Sequence, residues 1–270
     1  MLSWLQSRRR RRLLALPFPK EWLRHLLRNV RHYESLGESD QARLRDDLRI
    51  FIDDKYWELA GDWPQNDLGE TPIVTDEMKV TIAAQACLLT LNVPEHGYFK
   101  RVRTVLIYPN AFVAPQPRHG PGGVVSEGWI NTGEAWFRGP IVISWADAVA
   151  GGRGVTRGRN LVLHEFAHAL DMMDGLINGT PRLNGRAQYA QWHEVMTSEF
   201  RRLTDASHRG EPTLLDQYGA TNVGEFFAVA TECFFEQGMF LRQFHPQLYD
   251  VLRGYYRLDP AVWAQAPIPR

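Results

Sequence analysis

The sequence predicts an α+β protein, mainly helical, with a small mixed sheet. Three observations predict it. Apolar residues recur at helical spacing in the first and last thirds of the chain. Between them lie short β-branched and aromatic runs bounded by Pro, Gly and Asn. Helix, small sheet and helix in succession make an α+β architecture. At 270 residues the chain is long enough to bury a sizeable core.

From Glu21 to Tyr33, residues Trp22, Leu26, Leu27, Val30 and Tyr33 form a helical stripe after Pro19. Ser39 is placed to cap a second helix carrying Leu44, Leu48, Phe51, Ile52 and Tyr56. Thr75 and Asp76 start a third, through Val80, Ile82, Ala83, Ala86 and Leu89. It is apolar on most sides, which predicts a buried helix. Val102 to Tyr108, Ala111 to Val113 and Ile141 to Trp145 read as strands, and the Gly- and Pro-rich residues 114–140 as loop with room for one hairpin. Helices follow at Asn160 to Met173, Gln188 to Leu203, Val223 to Phe235 and His245 to Tyr256. Nothing resembles a long internal linker. We expect a basic tail over residues 1–18 and a single domain over 19–270, with a helical part (19–95) and a catalytic part (96–270).

Acidic and basic residues balance at 31 each, but residues 1–31 hold nine basic side chains against Glu21 alone. The run Arg8 to Arg12 leads into Leu13 to Leu16, which Pro17 and Pro19 cut short, so it does not make a secretion signal. A solvated tail is the expectation. No basic motif with interleaved aromatics appears elsewhere, so nucleic acid is not an expected partner. No apolar run is long enough for a membrane-spanning helix. Cys87 and Cys233 lie in apolar helical runs and read as core residues. Two cysteines are too few for a disulfide framework, and a cytoplasmic location is expected.

The sharpest signal is His164-Glu165-Phe166-Ala167-His168, an H-E-x-x-H motif. Histidines four apart share one helix face, so both imidazoles can hold one ion, with the glutamate near its open side. A chance match in a chain of this composition is expected only about 0.02 times. Zinc is the metal that suits two imidazoles and a carboxylate, one ion per chain. The third ligand has three candidates. Asp174 lies six residues after His168, but the glycine such a turn needs is replaced by Asp171. Glu225 and Glu232 lie seven apart on one face of a later helix. Glu225, in the first turn of that apolar helix, is preferred; Glu232 reads as a supporting or surface carboxylate. Asp171 shares the histidines' face and reads equally as a partner for an imidazole or as a polar helix end. His193, His208 and His245 lack ligand spacing and are expected at the surface.

Residues 164–175 (HEFAHALDMMDG), 217–235 (QYGATNVGEFFAVATECFF), 76–89 (DEMKVTIAAQACLL) and 124–128 (VVSEG) resemble the Mlc titration factor A family, from about Pro17 to Pro260. These are bacterial zinc peptidases related in their catalytic half to anthrax lethal factor. The resemblance implies a zincin-like metallopeptidase with His164, His168 and Glu225 on zinc and Glu165 as general base. It also implies Tyr218 facing the reacting carbonyl oxygen, and aminopeptidase-like activity on short peptides. A further glutamate of the lethal factor relatives, four residues after the ligand, is replaced here by Val229. The alternative the resemblance carries is a regulatory protein that sequesters an Mlc-type transcriptional repressor, with peptidase activity secondary.

Overall fold

The computed structural model describes residues 2–65, 72–94, 97–110, 139–156 and 158–263. The expected strand Ala111 to Val113, the hairpin within 114–140 and the VVSEG segment (124–128) lie outside the described residues, apart from the last two positions of the loop.

The arginine block is helical: α1 spans Leu2–Ala15. It was expected as a solvated tail, and the arginines at 8, 9, 11 and 12 are exposed. Two of the block nevertheless fasten it. Arg9 pairs with Asp53 at 2.8 Å and Arg10 with Asp54 at 2.6 Å, both at the end of α4 (Glu38–Asp54). Between them, α2 (Lys20–Asn29) and α3 (His32–Ser35) replace the single helix expected to Tyr33. The chain breaks at Val30, whose non-helical backbone ends α2. Gly37, not Ser39, takes the N-cap position of α4.

Three short strands form a sheet in the order β1-β2-β3, with β1 at Tyr56–Leu59, β2 at Thr104–Tyr108 and β3 at Ile141–Ser144. All the described pairings are parallel where a mixed sheet was expected, with Tyr56 opposite Thr104 and Val105 opposite Ile141. Parallel neighbours need a crossover, and α5 (Asp76–Thr90) supplies the one between β1 and β2. Thr75 caps α5 by accepting the Met78 amide, and the helix is buried around almost its whole circumference. After β3, α6 (Trp145–Gly152) turns the chain back.

The core is built on α5, α7 (Leu161–Asp171) and α9 (Val223–Glu236). Asn160 caps α7 by accepting the Leu163 amide, and Asn222 caps α9 by accepting the Glu225 amide. On α7, Val162, Leu163, Phe166, Ala167 and Leu170 are buried. Phe166 meets Phe99 and Phe51 edge-on at 4.9 and 5.6 Å between centroids, which locks α7 to α4 and the 97–102 segment. The long α8 (Gly185–His208), α10 (Gly238–Phe244) and α11 (Pro246–Tyr256) enclose the other side of α9. Among the described residues, no helix is long and apolar enough to cross a membrane.

Candidate metal centre

His164 and His168 stand one turn apart on α7, as their spacing dictates, and their Nε2 atoms lie 3.2 Å apart. Glu225 enters from the first turn of α9. Its Oε2 lies 3.1 Å from Nε2 of His164 and 3.3 Å from Nε2 of His168. All three side chains are half-buried. Among the described residues no other group of three metal-ligating side chains converges in this way.

These separations carry a chemical message. A tetrahedral site with metal–ligand bonds of about 2.0–2.1 Å has edges of about 3.3 Å. Behind His164, Glu232 Oε1 lies 2.7 Å from Nδ1. A carboxylate only accepts, so Nδ1 carries the proton and the Nε2 lone pair faces the centre. Lone pairs of Nε2 and of the Glu225 carboxylate then crowd each other unless a positive charge sits among them. A proton meets that demand: burial opposes the His164 imidazolium, but hydrogen bonds to Glu225 and Glu232 outweigh it and hold its pKa well above the usual value. Burial likewise pushes Glu225 up, but the two imidazoles win and hold its carboxyl at about 2. A divalent cation meets the same demand, and two imidazoles with one carboxylate suit it.

A family model described as glucose-regulated metallo-peptidase M90 matches residues 4–257. The chain belongs to that family. Metallo-peptidase M90 membership gives the centre its setting: a peptidase that uses a metal ion. Over 261 residues the chain is 37% identical to the uncharacterized protein slr2042 of Synechocystis, covering 96% of this chain and 91% of that one. It is 30% identical to proteins called Mlc titration factor A in Yersinia pestis and Yersinia pseudotuberculosis, again over 96% of this chain and 91% of theirs.

The remaining residues singled out in the sequence fall as follows. Glu165 follows His164 on α7; burial pushes its carboxyl pKa up, with the histidines pulling it back and Glu225 and Glu232 adding to the rise. Tyr218 sits in a 3-10 turn, Gln217–Ala220, and its amide donates to the capping Asp216 side chain. Its ring centroid is 6.1 Å from that of His164. Asp171 does not reach an imidazole nitrogen. It is fully buried and accepts the amides of Gly179 and Thr180 at 2.8 Å and Asn178 at 3.4 Å, pinning the segment after α7. The side chain of Asp174 lies outside the described residues. His193 and His208 are exposed. His245, expected at the surface, is buried: its Nδ1 lies 2.6 Å from Oε2 of Glu199 on α8, a hydrogen-bond partner 46 positions earlier that sequence spacing does not reveal. Cys87 and Cys233 are buried and free. Sequence reasoning missed Asn160, Glu236, Arg31 and His32, which form the polar layer behind the histidines. The only sequence signal for any of them is the N-cap asparagine before an apolar helix.

Proposed function

We propose that this chain is a zinc-dependent metallopeptidase of the cytoplasm, aminopeptidase-like on short peptides. The observation that carries the reading is the convergence of His164, His168 and Glu225 within 3.1–3.3 Å beside Glu165. His164, His168 and Glu225 would hold one zinc ion. The ion supplies Lewis acidity, which eases deprotonation of water and polarises a peptide carbonyl. Glu165 accepts the proton from the attacking water, and burial, by raising its pKa, makes it a better proton acceptor than an ordinary carboxylate. Water oxygen bonds to the carbonyl carbon, the C–N bond breaks, and Glu165 returns the proton to the leaving amine. The Tyr218 hydroxyl donates to the carbonyl oxygen as negative charge grows there. Carrying the base on the same rigid helix as two ligands fixes it relative to the reacting water.

Hydrolysis of an alanine chromogenic anilide by wild type and Glu165→Gln tests this, with zinc content measured in both. Wild type is expected to cleave. The zinc-loaded variant is expected to lose about 100- to 10,000-fold in kcat. Equal cleavage by both would remove Glu165 from the chemistry.

A second reading has one observation behind it, the name Mlc titration factor A on relatives 30% identical over nearly the whole chain. In that reading the protein binds and sequesters a transcriptional repressor of the Mlc type, and hydrolysis is secondary. Repressor binding retained by an inactive Glu165→Gln would support it. If zinc is bound and neither protein cleaves the anilide, it becomes the leading reading.

A further inference from the structure

Three glutamates share one face of α9: Glu225, Glu232 and Glu236, spaced seven and four residues apart. Each faces a deeper layer than the one before. Glu225 meets both imidazole Nε2 atoms. Glu232 takes Nδ1 of His164 at 2.7 Å on one oxygen and the backbone amide of Asn160 on the other. Glu236, its side chain 1% exposed, accepts the Asn160 side-chain amide at 3.1 Å. It also pairs with His32 at 3.0 Å and with Arg31. Burying a carboxylate is costly unless every lone pair finds a donor, and here the donors are supplied from α7's cap and from the segment at α3. The layer ties a metal ligand to residues more than 130 positions earlier in the chain.

We infer that Glu232 is a positioning residue: it fixes His164 in the Nδ1–H tautomer, with Asn160 and Glu236 holding Glu232 in place. This rests on the metal-peptidase reading above. The Asn160 amide is a donor, so it obliges one Glu232 oxygen to accept from it. The other oxygen then accepts from Nδ1, and Nε2 is left with its lone pair toward Glu225 and His168. Carboxylates behind ligating histidines typically govern metal affinity 10- to 100-fold.

Glu232→Gln tests the tautomer and not only the shape. Its single carbonyl must satisfy the Asn160 amide, so its NH2 faces Nδ1. That moves the imidazole proton to Nε2, the nitrogen a metal needs. Glu232→Ala removes the support but imposes no tautomer. We expect Glu232→Gln to weaken zinc binding about 10- to 100-fold, and at least as much as Glu232→Ala. The melting temperature of the metal-free protein is expected to fall in the opposite order, further for Ala than for Gln. Zinc affinity is read by competition with a chromogenic chelator. Glu232→Gln binding zinc within twofold of wild type would overturn the inference. So would zinc affinity falling in the same order as metal-free stability. Should both variants fail to fold, Glu236→Gln carries the test. It lies one layer out and is expected to weaken zinc severalfold, and unchanged affinity there also overturns the inference. Wild type that binds no zinc defeats the metal reading itself; wild type that binds zinc beside an equal Glu232→Gln defeats only the positioning role.

Discussion

Two buried polar clusters in this molecule answer the same physical pressure in opposite ways. Under α4, Asp47, Lys55 and Tyr98 sit where the backbone of Tyr98 and Phe99 takes positive φ angles of 53° and 52°. Lys55 Nζ donates to the carbonyls of both residues at 2.8 and 2.9 Å. The Tyr98 hydroxyl donates to Asp47 at 3.1 Å. Burial decides every charge there. It lifts Asp47 to about 6, lowers Lys55 to about 8 and lifts Tyr98 to about 12. Between α7 and α9, burial pushes in the same directions, but opposite charges within hydrogen-bond reach prevail. Glu225 is held at about 2, Glu236 is held below the usual carboxylate range and His164 well above its own. The difference is in the partners. The first cluster hydrogen-bonds its charges to neutral carbonyls and a hydroxyl, while opposite charges such as Arg43 and Asp54 act more weakly than burial, and it fastens a strained turn. The second gives Glu225, Glu236 and His164 counter-charges, which keep these ionised groups buried.

The largest expected effect breaks the second cluster at its centre. Glu225→Ala removes one of the three proposed zinc-holding side chains and should cost on the order of 1,000-fold in zinc affinity. Chelator competition measures it, and circular dichroism should show the helices intact. Wild-type zinc affinity in this variant would shift the third ligand to Glu232 or Asp174 and undo the contrast between the clusters.

Asp171 is intermediate between the two, because its hydrogen bonds come from backbone amides alone, with His168 acting on it only at a distance. Burial still leaves its carboxyl raised, despite the amides of Gly179, Thr180 and Asn178. Asp171→Ala strands those amides and should cost about 2–4 kcal/mol in urea unfolding. Zinc affinity should change little, since no imidazole loses a partner. A loss of stability under about 1 kcal/mol would mean that water replaces the carboxylate and that the pin is not needed.

Legibility in the sequence followed the range of each interaction. The two histidines and Glu165 are readable because their relation is set within one helical turn. The Thr75 cap acts three residues ahead and is readable for the same reason, though the same logic misplaced the α4 cap at Ser39. Glu225 meets His164 across 61 positions, and spacing alone left it beside Glu232 and Asp174. The contacts of Arg31 and His32 with Glu236 span 205 and 204 positions and have no local signature. Asp171 shares the histidines' face, yet its partners are amides seven to nine residues on, in a segment whose path periodicity does not give. β1 was hidden because Tyr56–Leu59 directly follows α4 and its residues are exposed or half-buried, without a buried β-branched run. α6 was hidden by its alanines and glycines, which carry little periodic signal.

The smallest expected effect sharpens the first cluster and gives its sign. The folded-state pKa of Asp47, about 6, exceeds its ordinary value of 3.8. The native protein therefore holds this proton more tightly than the unfolded chain does. The resulting stability is present in acid, below about 4, and is lost as pH rises through about 6. Asparagine cannot ionise and still offers an oxygen to the Tyr98 hydroxyl. At pH 7.5, Asp47→Asn should therefore be more stable than wild type by about 1–3 kcal/mol. Between pH 6 and pH 4 the difference should shrink toward zero, as the wild-type carboxyl becomes neutral too. Urea unfolding of both proteins across that range reads it directly. A difference that does not vary with pH, or a variant less stable than wild type at pH 7.5, would mean that Asp47 is stabilised as an anion. The two clusters would then obey the same rule, with counter-charge outweighing burial in both.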